Sequence, residues 1–392
     1  MKKFLALTLA LVMSLSLVAC GSKNEEPKTD DTNGTQVEEP TEGAYKIAMI
    51  TDYGDITDQS FNQTTYEACK AFAEDNSIEF NYFKPAGDNT ADRVAMIEKA
   101  VDEGYNVIVM PGYAFGGAIV ETAPKFSDVK FIALDVSAGD LGDGFEVPDN
   151  LYCAVYQEEL CGYMAGYAAV KMGYTKLGFL GGMAVPAVVR YGYGFVQGVD
   201  AAAAETGTEN VTLNYVYGGQ FFGDADITAV MDTWYQHDGV EGVFACGGGI
   251  YTSAVDAAKK ADAKVIGVDV DQAGVIANYA ETEGMTITSA MKGLYPTTYD
   301  TLSDVILNDN WSKYAGQIAT LGLVSADDPE ANYVQIPMGD GTQWCDTFTQ
   351  DDYKAMVKAM YDGELTVSND ITKSPADFAT CIAVEDQGAI KG

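Results

Sequence analysis

The sequence predicts an α/β protein built as two doubly wound lobes of parallel sheet, and three observations point there. Short apolar runs alternate with segments of helical period along the chain beyond residue 45. The runs are more numerous than a single open sheet needs. Glycines, aromatics and carboxylates collect just past these runs, where open α/β sheets bind their ligands.

The strands are read at 46–51, 78–83, 107–110, 130–134, 151–155, 176–180, 212–217, 242–245, 264–268 and 286–290. Helical segments fall between them at 62–75, 91–103, 158–171, 191–205, 227–237, 250–260 and 294–307. Alternation at this spacing means parallel strands covered by helices. The strand exits are alike. The first runs into Thr51-Asp52-Tyr53-Gly54, the third into Pro111-Gly112-Tyr113 and the fourth into Asp135-Val136. Later ones run into Gly181-Gly182, Gly218-Gly219-Gln220-Phe221-Phe222, Gly247-Gly248-Gly249 and Asp269-Val270-Asp271-Gln272. Glycine there permits tight turns and close backbone approach.

Ahead of the folded part lies a leader. Lys2 and Lys3 precede an apolar stretch from Phe4 to Val18 that is too short and too weakly flanked for a membrane span. It ends in Leu17-Val18-Ala19-Cys20, which resembles a bacterial lipobox, so Cys20 is expected to carry a diacylglycerol. From Gly21 to Gly43 almost nothing is apolar, and such a segment cannot offset its ordering entropy. It reads as a tether. The expected division is a signal peptide over 1–19 and a lipidated, acidic tether over 20–45. A first lobe covers 46–155, with 285–325 returning to it. A second lobe covers 156–284 with part of 326–392.

Composition removes several function classes. The net charge of −35 argues against nucleic acid or anionic lipid held by a basic face. Cys69, Cys153, Cys161, Cys246, Cys345 and Cys381 form no CxxC pair, so metal spacing is absent and buried free thiols are expected; a single bridge is left open. His237 is the only histidine, which removes most zinc sites and every His-based triad. It reads as a surface or helix-end residue. No catalytic residue, metal or cofactor is assigned.

Several motifs then resemble one family. Thr51-Asp52-Tyr53-Gly54-Asp55-Ile56-Thr57-Asp58-Gln59-Ser60-Phe61-Asn62-Gln63 looks like the opening signature of the basic membrane protein family of ABC-importer lipoproteins. Gly178-Phe179-Leu180-Gly181-Gly182-Met183 with Val185-Pro186, then Gly194-Phe195 and Gly198, follow in order. Cys246-Gly247-Gly248-Gly249, Gly267-Val268-Asp269-Val270-Asp271-Gln272 and Thr288-Ser289-Ala290-Met291-Lys292 complete the series. The resemblance spans 46 to 310 and is loose beyond. Tyr53-Gly54-Asp55 replaces the family's Gly-Gly-type turn, and Tyr251 follows a varied glycine loop.

The resemblance implies a type I periplasmic-binding-protein fold, two Rossmann-like lobes joined by crossover strands, with a purine nucleoside held between them. Aromatic faces suit a base, and Phe61 and Phe222 are the candidates, with Phe221 as alternate to Phe222. One carboxylate accepts both bonds from vicinal hydroxyls, which fits Asp269, with Asp135 as second candidate. Lys292 sits in an apolar strand exit, where a lysine is costly unless paired. It would donate to a ribose oxygen or ring nitrogen. Asp52 and Asn62 would read the base edge, and Gly248 would let backbone approach the sugar. Tyr113, Phe115 and Tyr251 are further aromatic-wall candidates.

Bland readings compete. Asp58 is better read as a helix cap than a ligand contact, and Asp271 fits either role. The glycines do not form GxGxxG, so a dinucleotide is not indicated. The expected function is an extracytoplasmic, lipid-anchored receptor on the outer or periplasmic side of the cell membrane. It would be a monomer delivering a nucleoside to an ABC permease. The alternatives are a binder of a simple sugar or other ribosyl compound, and a surface sensor without a permease. A nucleoside hydrolase would need an Asp-x-Asp-x-x-x-Asp-Asp run near the N-terminal strand, which the sequence lacks.

Overall fold

A computed structural model describes residues 45–391. The expected leader, the Cys20 anchor and the tether up to residue 44 lie outside the described residues.

The strands are β1 (Lys46–Ile50), β2 (Glu79–Phe83), β3 (Val107–Pro111), β4 (Lys130–Leu134), β5 (Leu151–Tyr156), β6 (Lys176–Gly181) and β7 (Thr212–Tyr217). They continue with β8 (Gly242–Cys246), β9 (Lys264–Asp269), β10 (Thr286–Lys292), β11 (Gln317–Leu321), β12 (Val334–Gln335) and β13 (Ala383–Ala389). One sheet runs β11-β5-β4-β3-β1-β2, the other β12-β10-β9-β8-β6-β7-β13. Among the described residues every ladder is parallel except the β10–β12 pair. These are two open sheets with the parallel topology of the type I periplasmic-binding-protein fold.

Alternation along the strands explains why both faces are covered. In β1, Ile47 and Met49 enter one core while Ala48 and Ile50 enter another. In β8, Phe244 and Cys246 face one core while Val243 and Ala245 face another. A side-chain period of two makes a strand that is apolar throughout feed two helical layers at once.

The chain changes sheet after β5, after β10 and again after β11. The crossovers are hydrogen-bonded to each other. Gln157 N donates to Leu321 O at 2.9 Å, Gly293 N to Tyr333 O at 2.7 Å and Tyr333 N to Gly322 O at 3.0 Å. The helix Leu294–Leu302 returns to the first lobe. There Tyr299 packs edge-on against Phe72, with ring centroids 5.4 Å apart, and donates to Asp75 Oδ2 at 2.8 Å. The sequence division placed the return at 285. In the structure β10 pairs with β9 in the second sheet, Ser289 opposite Gly267, so the return begins after Lys292. An apolar run does not say which of two sheets its strand joins; here the pairing of β10 with β9 decides it.

The helices Glu158–Lys171 and Pro186–Thr206 pack backbone to backbone. A Cβ on Gly162 would lie 2.3 Å from Tyr191 O, and one on Gly198 would lie 2.1 Å from Tyr163 O. The C-terminal segment then straps this pair. Tyr193 Oη donates to Lys373 O at 2.7 Å, and Asp200 Oδ1 accepts from Thr380 N and Cys381 N at 2.8 Å each. Cys69, Cys153, Cys161 and Cys246 are buried free thiols, whereas Cys345 and Cys381 are exposed and also free. His237 is exposed in the turn Trp234–Asp238 that ends a helix.

Glu159, in the first turn of its helix, is 2% exposed. Burial raises its carboxyl from 4.5 to about 7, with its own backbone amide opposing, Glu158 adding and Arg190 opposing. Between those values the folded chain holds the proton more tightly than the unfolded one. Stability therefore falls as pH rises from about 4.5 to about 7, by roughly 3 kcal/mol at most, and is level above. In urea melts across this range, Glu159→Gln should remove that slope. A slope unchanged in the variant would assign it to another group.

Candidate functional site

Asp52 follows β1, Asp135 follows β4 and Gly248 follows β8, while Asp269 and Lys292 are the last residues of β9 and β10. These are the carboxyl ends of the strands, where open parallel sheets bind ligands. Together with Phe61, Asn62 and Phe222 they line one cavity of about 400 Å³. The volume lies toward the lower end of the range for small-molecule sites. The structure thus brings these eight residues together, from both lobes.

At the first-lobe wall, Asp52 is buried and its Oδ1 accepts from Tyr53 N and Gly54 N at 2.6 Å each. Burial raises its pKa, and these amides hold the rise back. The turn needs glycine at 54, because a Cβ would lie 2.3 Å from Asn62 Nδ2. Asp58 caps the helix Phe61–Asn76: its Oδ1 accepts from Ser60 N and Gln63 N, and its Oδ2 from Asn62 N and Nδ2, at 2.9–3.1 Å. The cap holds the Asn62 side chain by its amide nitrogen. Asn62 Oδ1 is left buried without a partner.

At the floor, Lys292 is 5% exposed among carboxylates. It donates to Asp135 Oδ2 and lies 3.5 Å from Glu158 Oε1 and 3.8 Å from Asp269 Oδ1. Burial alone would lower its pKa, but Asp135, Asp269 and Glu158 outweigh burial and raise it. Lys292 therefore stays charged. Burial lifts Asp135 to about 6, against the pull of Lys292 and with Glu158 adding. Glu158 is also held by Arg190 Nε at 2.7 Å. The ammonium lies 4.8 Å from the Phe61 ring centroid, a cation–π contact that occupies one face of that ring.

Asp135 and Asp269 share an unusual backbone, with φ of 59° and 65°. Aspartate tolerates this left-handed region better than most residues, and strain of this kind collects at functional positions. Asp135 Oδ1 is buried and unpartnered. Asp269 accepts from Ser60 Oγ at 2.5 Å and from Tyr191 Oη at 3.3 Å.

Contacts also cross the cleft. The Ser60–Asp269 bond joins the lobes, as does Gln272 Nε2 donating to Gln59 O at 3.1 Å. Met183 Sδ accepts from Tyr53 Oη at 3.6 Å and Tyr113 Oη at 3.7 Å. In the second lobe, Phe221 is wedged against Gly182 and Gly247, where added Cβ atoms would lie 2.4 and 2.7 Å from its ring. Phe222 is 59% exposed and keeps a free face. Gly248 has φ of 49°, so backbone lines the cavity where a side chain would be strained.

Some candidates fall elsewhere. Phe115 is fully buried in the first lobe's core, and Tyr251 is buried in the second lobe's, edge-on to Tyr279. Each follows a strand exit, but the first turn of its helix rotates the ring inward. Tyr113 does line the cavity. Asp271 accepts from Ala273 N at 3.0 Å and is absent from the cavity lining. Arg190 and Tyr191 line the cavity without having been singled out. They come from the early turns of the Pro186–Thr206 helix, and their partners lie far away in sequence.

Two sheets hydrogen-bonded through their crossovers, with a polar and aromatic cavity between their strand ends, define a two-lobed solute-binding protein. The chain belongs to the family described as ABC transporter substrate-binding protein PnrA-like, which matches residues 45–326. It is similar to the CD4+ T-cell-stimulating antigen of Listeria innocua, 28% identical over 309 residues, 74% of this chain and 80% of that relative. It is also similar to the ABC transporter nucleoside-binding protein BmpA of Lactococcus lactis subsp. cremoris, 25% identical over 285 residues, 69% of this chain and 75% of that relative. Among solved structures, an ABC transporter solute-binding protein from Aeropyrum pernix K1 matches with a TM-score of 0.63. It covers 85% of this chain and 90% of that one at 20% identity, a likeness of fold.

Proposed function

We propose that the cavity binds a nucleoside, a purine nucleoside foremost, and that the protein delivers it to an ABC permease from a lipid anchor on Cys20. The observation that carries this reading is the meeting of two buried, unpartnered acceptors, Asn62 Oδ1 and Asp135 Oδ1, with the Phe61 and Phe222 rings in one cavity. Unpartnered buried acceptors favour a ligand that brings donors. A sugar brings hydroxyl donors, and a base brings ring or amino N–H groups and a flat face. The name of the Lactococcus lactis relative points the same way. In this reading Asp269 and Asp135 take the ribose hydroxyls and Lys292 donates to an acceptor of the ligand. Asp52 and Asn62 meet the base edge, and the base stacks on the free face of Phe222.

A thermal-shift screen against nucleosides, free bases and sugars tests it. A ligand at 100 times its Kd stabilises by about 2.7 kcal/mol. Silence toward every nucleoside rejects the reading, and a response to sugars alone replaces it with a sugar receptor. Phe222→Ala should weaken nucleoside binding by about 1–3 kcal/mol in calorimetry. An unchanged affinity would move the stacking role to Phe221. Cys20→Ser should shift the expressed protein from the membrane to the soluble fraction, and retention at the membrane would refute the anchor.

A further inference from the structure

A second cavity, of about 330 Å³, lies at the crossovers. Gln157 and Leu160 line it from the segment after β5, and Leu323 from the segment after β11. The remaining wall is Met360, Leu365 and their neighbours, at and beyond the end of the helix Gln350–Tyr361. This wall lies outside the family match of 45–326, so the cavity is not the family's interlobe cleft. The two cavities share no lining residue.

Leu160, Leu323, Met360 and Leu365 share the lining with Gln157, Thr366, Asn369 and one carboxylate, Glu159, and the surface left exposed is more polar than apolar. Glu159 is 2% exposed, and its Oε2 is buried with no hydrogen-bond partner. No lysine, arginine or histidine lines the cavity to answer it. Arg190, the cation that acts on Glu159, is committed to Glu158. A buried acceptor without a partner is costly, and a carboxylate more so. A neutral donor would satisfy the hydrogen bond and leave the charge; an ammonium satisfies both. The strongly acidic chain also enriches cations over anions near its surface.

We propose that this crossover cavity binds a small organic ammonium compound, its cation on Glu159 and its body against Leu160, Leu323, Met360 and Leu365 and the uncharged polar groups beside them. The claim is independent of what the main cleft holds. Burial that raises the Glu159 carboxyl to about 7 makes a proton the competitor of the ammonium.

Calorimetric titration of the full folded chain with 2-phenylethylammonium chloride tests the proposal. Saturable one-to-one binding is expected, about tenfold tighter at pH 8 than at pH 6 as the carboxyl ionises. The neutral isostere 2-phenylethanol and the anion 3-phenylpropionate should bind at least tenfold more weakly. Glu159→Gln, which keeps shape and removes charge, should lose at least tenfold in affinity. Leu365→Trp, which fills the cavity and keeps the carboxylate, should also abolish binding. Absence of saturable binding to the wild type, equal binding to Glu159→Gln, or a preference for the neutral or anionic probe would each overturn it.

Discussion

Lys292→Met is expected to cost about 3–5 kcal/mol of folding stability, the range for removing one partner from a buried charge pair. The size follows from what stays behind. Asp135, Glu158 and Asp269 would remain buried around the vacated ammonium position, and of the three only Glu158 keeps an ion pair, with Arg190, among the described residues. Phe61 would also lose the charge over its ring. Urea melts at pH 7.5 check the prediction through the midpoint at constant m-value. Lys292→Arg, which restores charge with different geometry, should recover part of the loss. A cost below about 1 kcal/mol for Lys292→Met would overturn the electrostatic account of the cavity floor.

Asp269→Ala is expected to abolish nucleoside binding in calorimetry. A hydrogen bond to a charged group is worth about 1.5–3 kcal/mol, so two from vicinal hydroxyls correspond to roughly 10²–10⁴-fold in Kd. Asp269 also accepts the Ser60 hydroxyl across the cleft, so its loss removes a bond between the lobes as well. Ser60→Ala separates the two effects, because it breaks the interlobe bond and leaves the carboxylate free. If Ser60→Ala loses as much affinity as Asp269→Ala, the aspartate acts through closure. If Asp269→Ala binds nucleoside like the wild type, the ribose assignment is wrong.

Much of this architecture was legible in the residues because parallel sheets write themselves as apolar runs. β1, β3, β4 and β8 are buried on both faces, and each reads as an unbroken apolar segment after the leading lysine of β1 and of β4. β13 escaped notice for the opposite reason. Ala-Val-Glu-Asp-Gln-Gly-Ala is an exposed edge strand with no apolar pattern, held in place by its partner. The helix read from 191 begins at Pro186, where proline is tolerated because the first turn needs no amide donor. The cavity was readable where its residues sit at strand ends, as Asp52, Asp135, Asp269 and Lys292 do. It was unreadable where a long-range partner decides. Glu158 meets Lys292 and Arg190 only once its helix packs against β10 and against the helix Pro186–Thr206. Phe221 and Phe222 look alike in sequence, and only the packing of Gly182 and Gly247 separates them.

The position of β13 beside β7 constrains the order in which the second sheet is completed. β7 ends at Tyr217, and the strand that covers its open side begins at Ala383. Until that distant segment arrives, β7 presents unpaired amides and carbonyls, a template on which another copy of the chain could pair. Contacts this far apart in sequence close slowly. The risk of aggregation is therefore concentrated in the interval before closure. The finished edge guards itself: Glu385 and Asp386 put charge on β13, and the register breaks between Asp386 and Ala389.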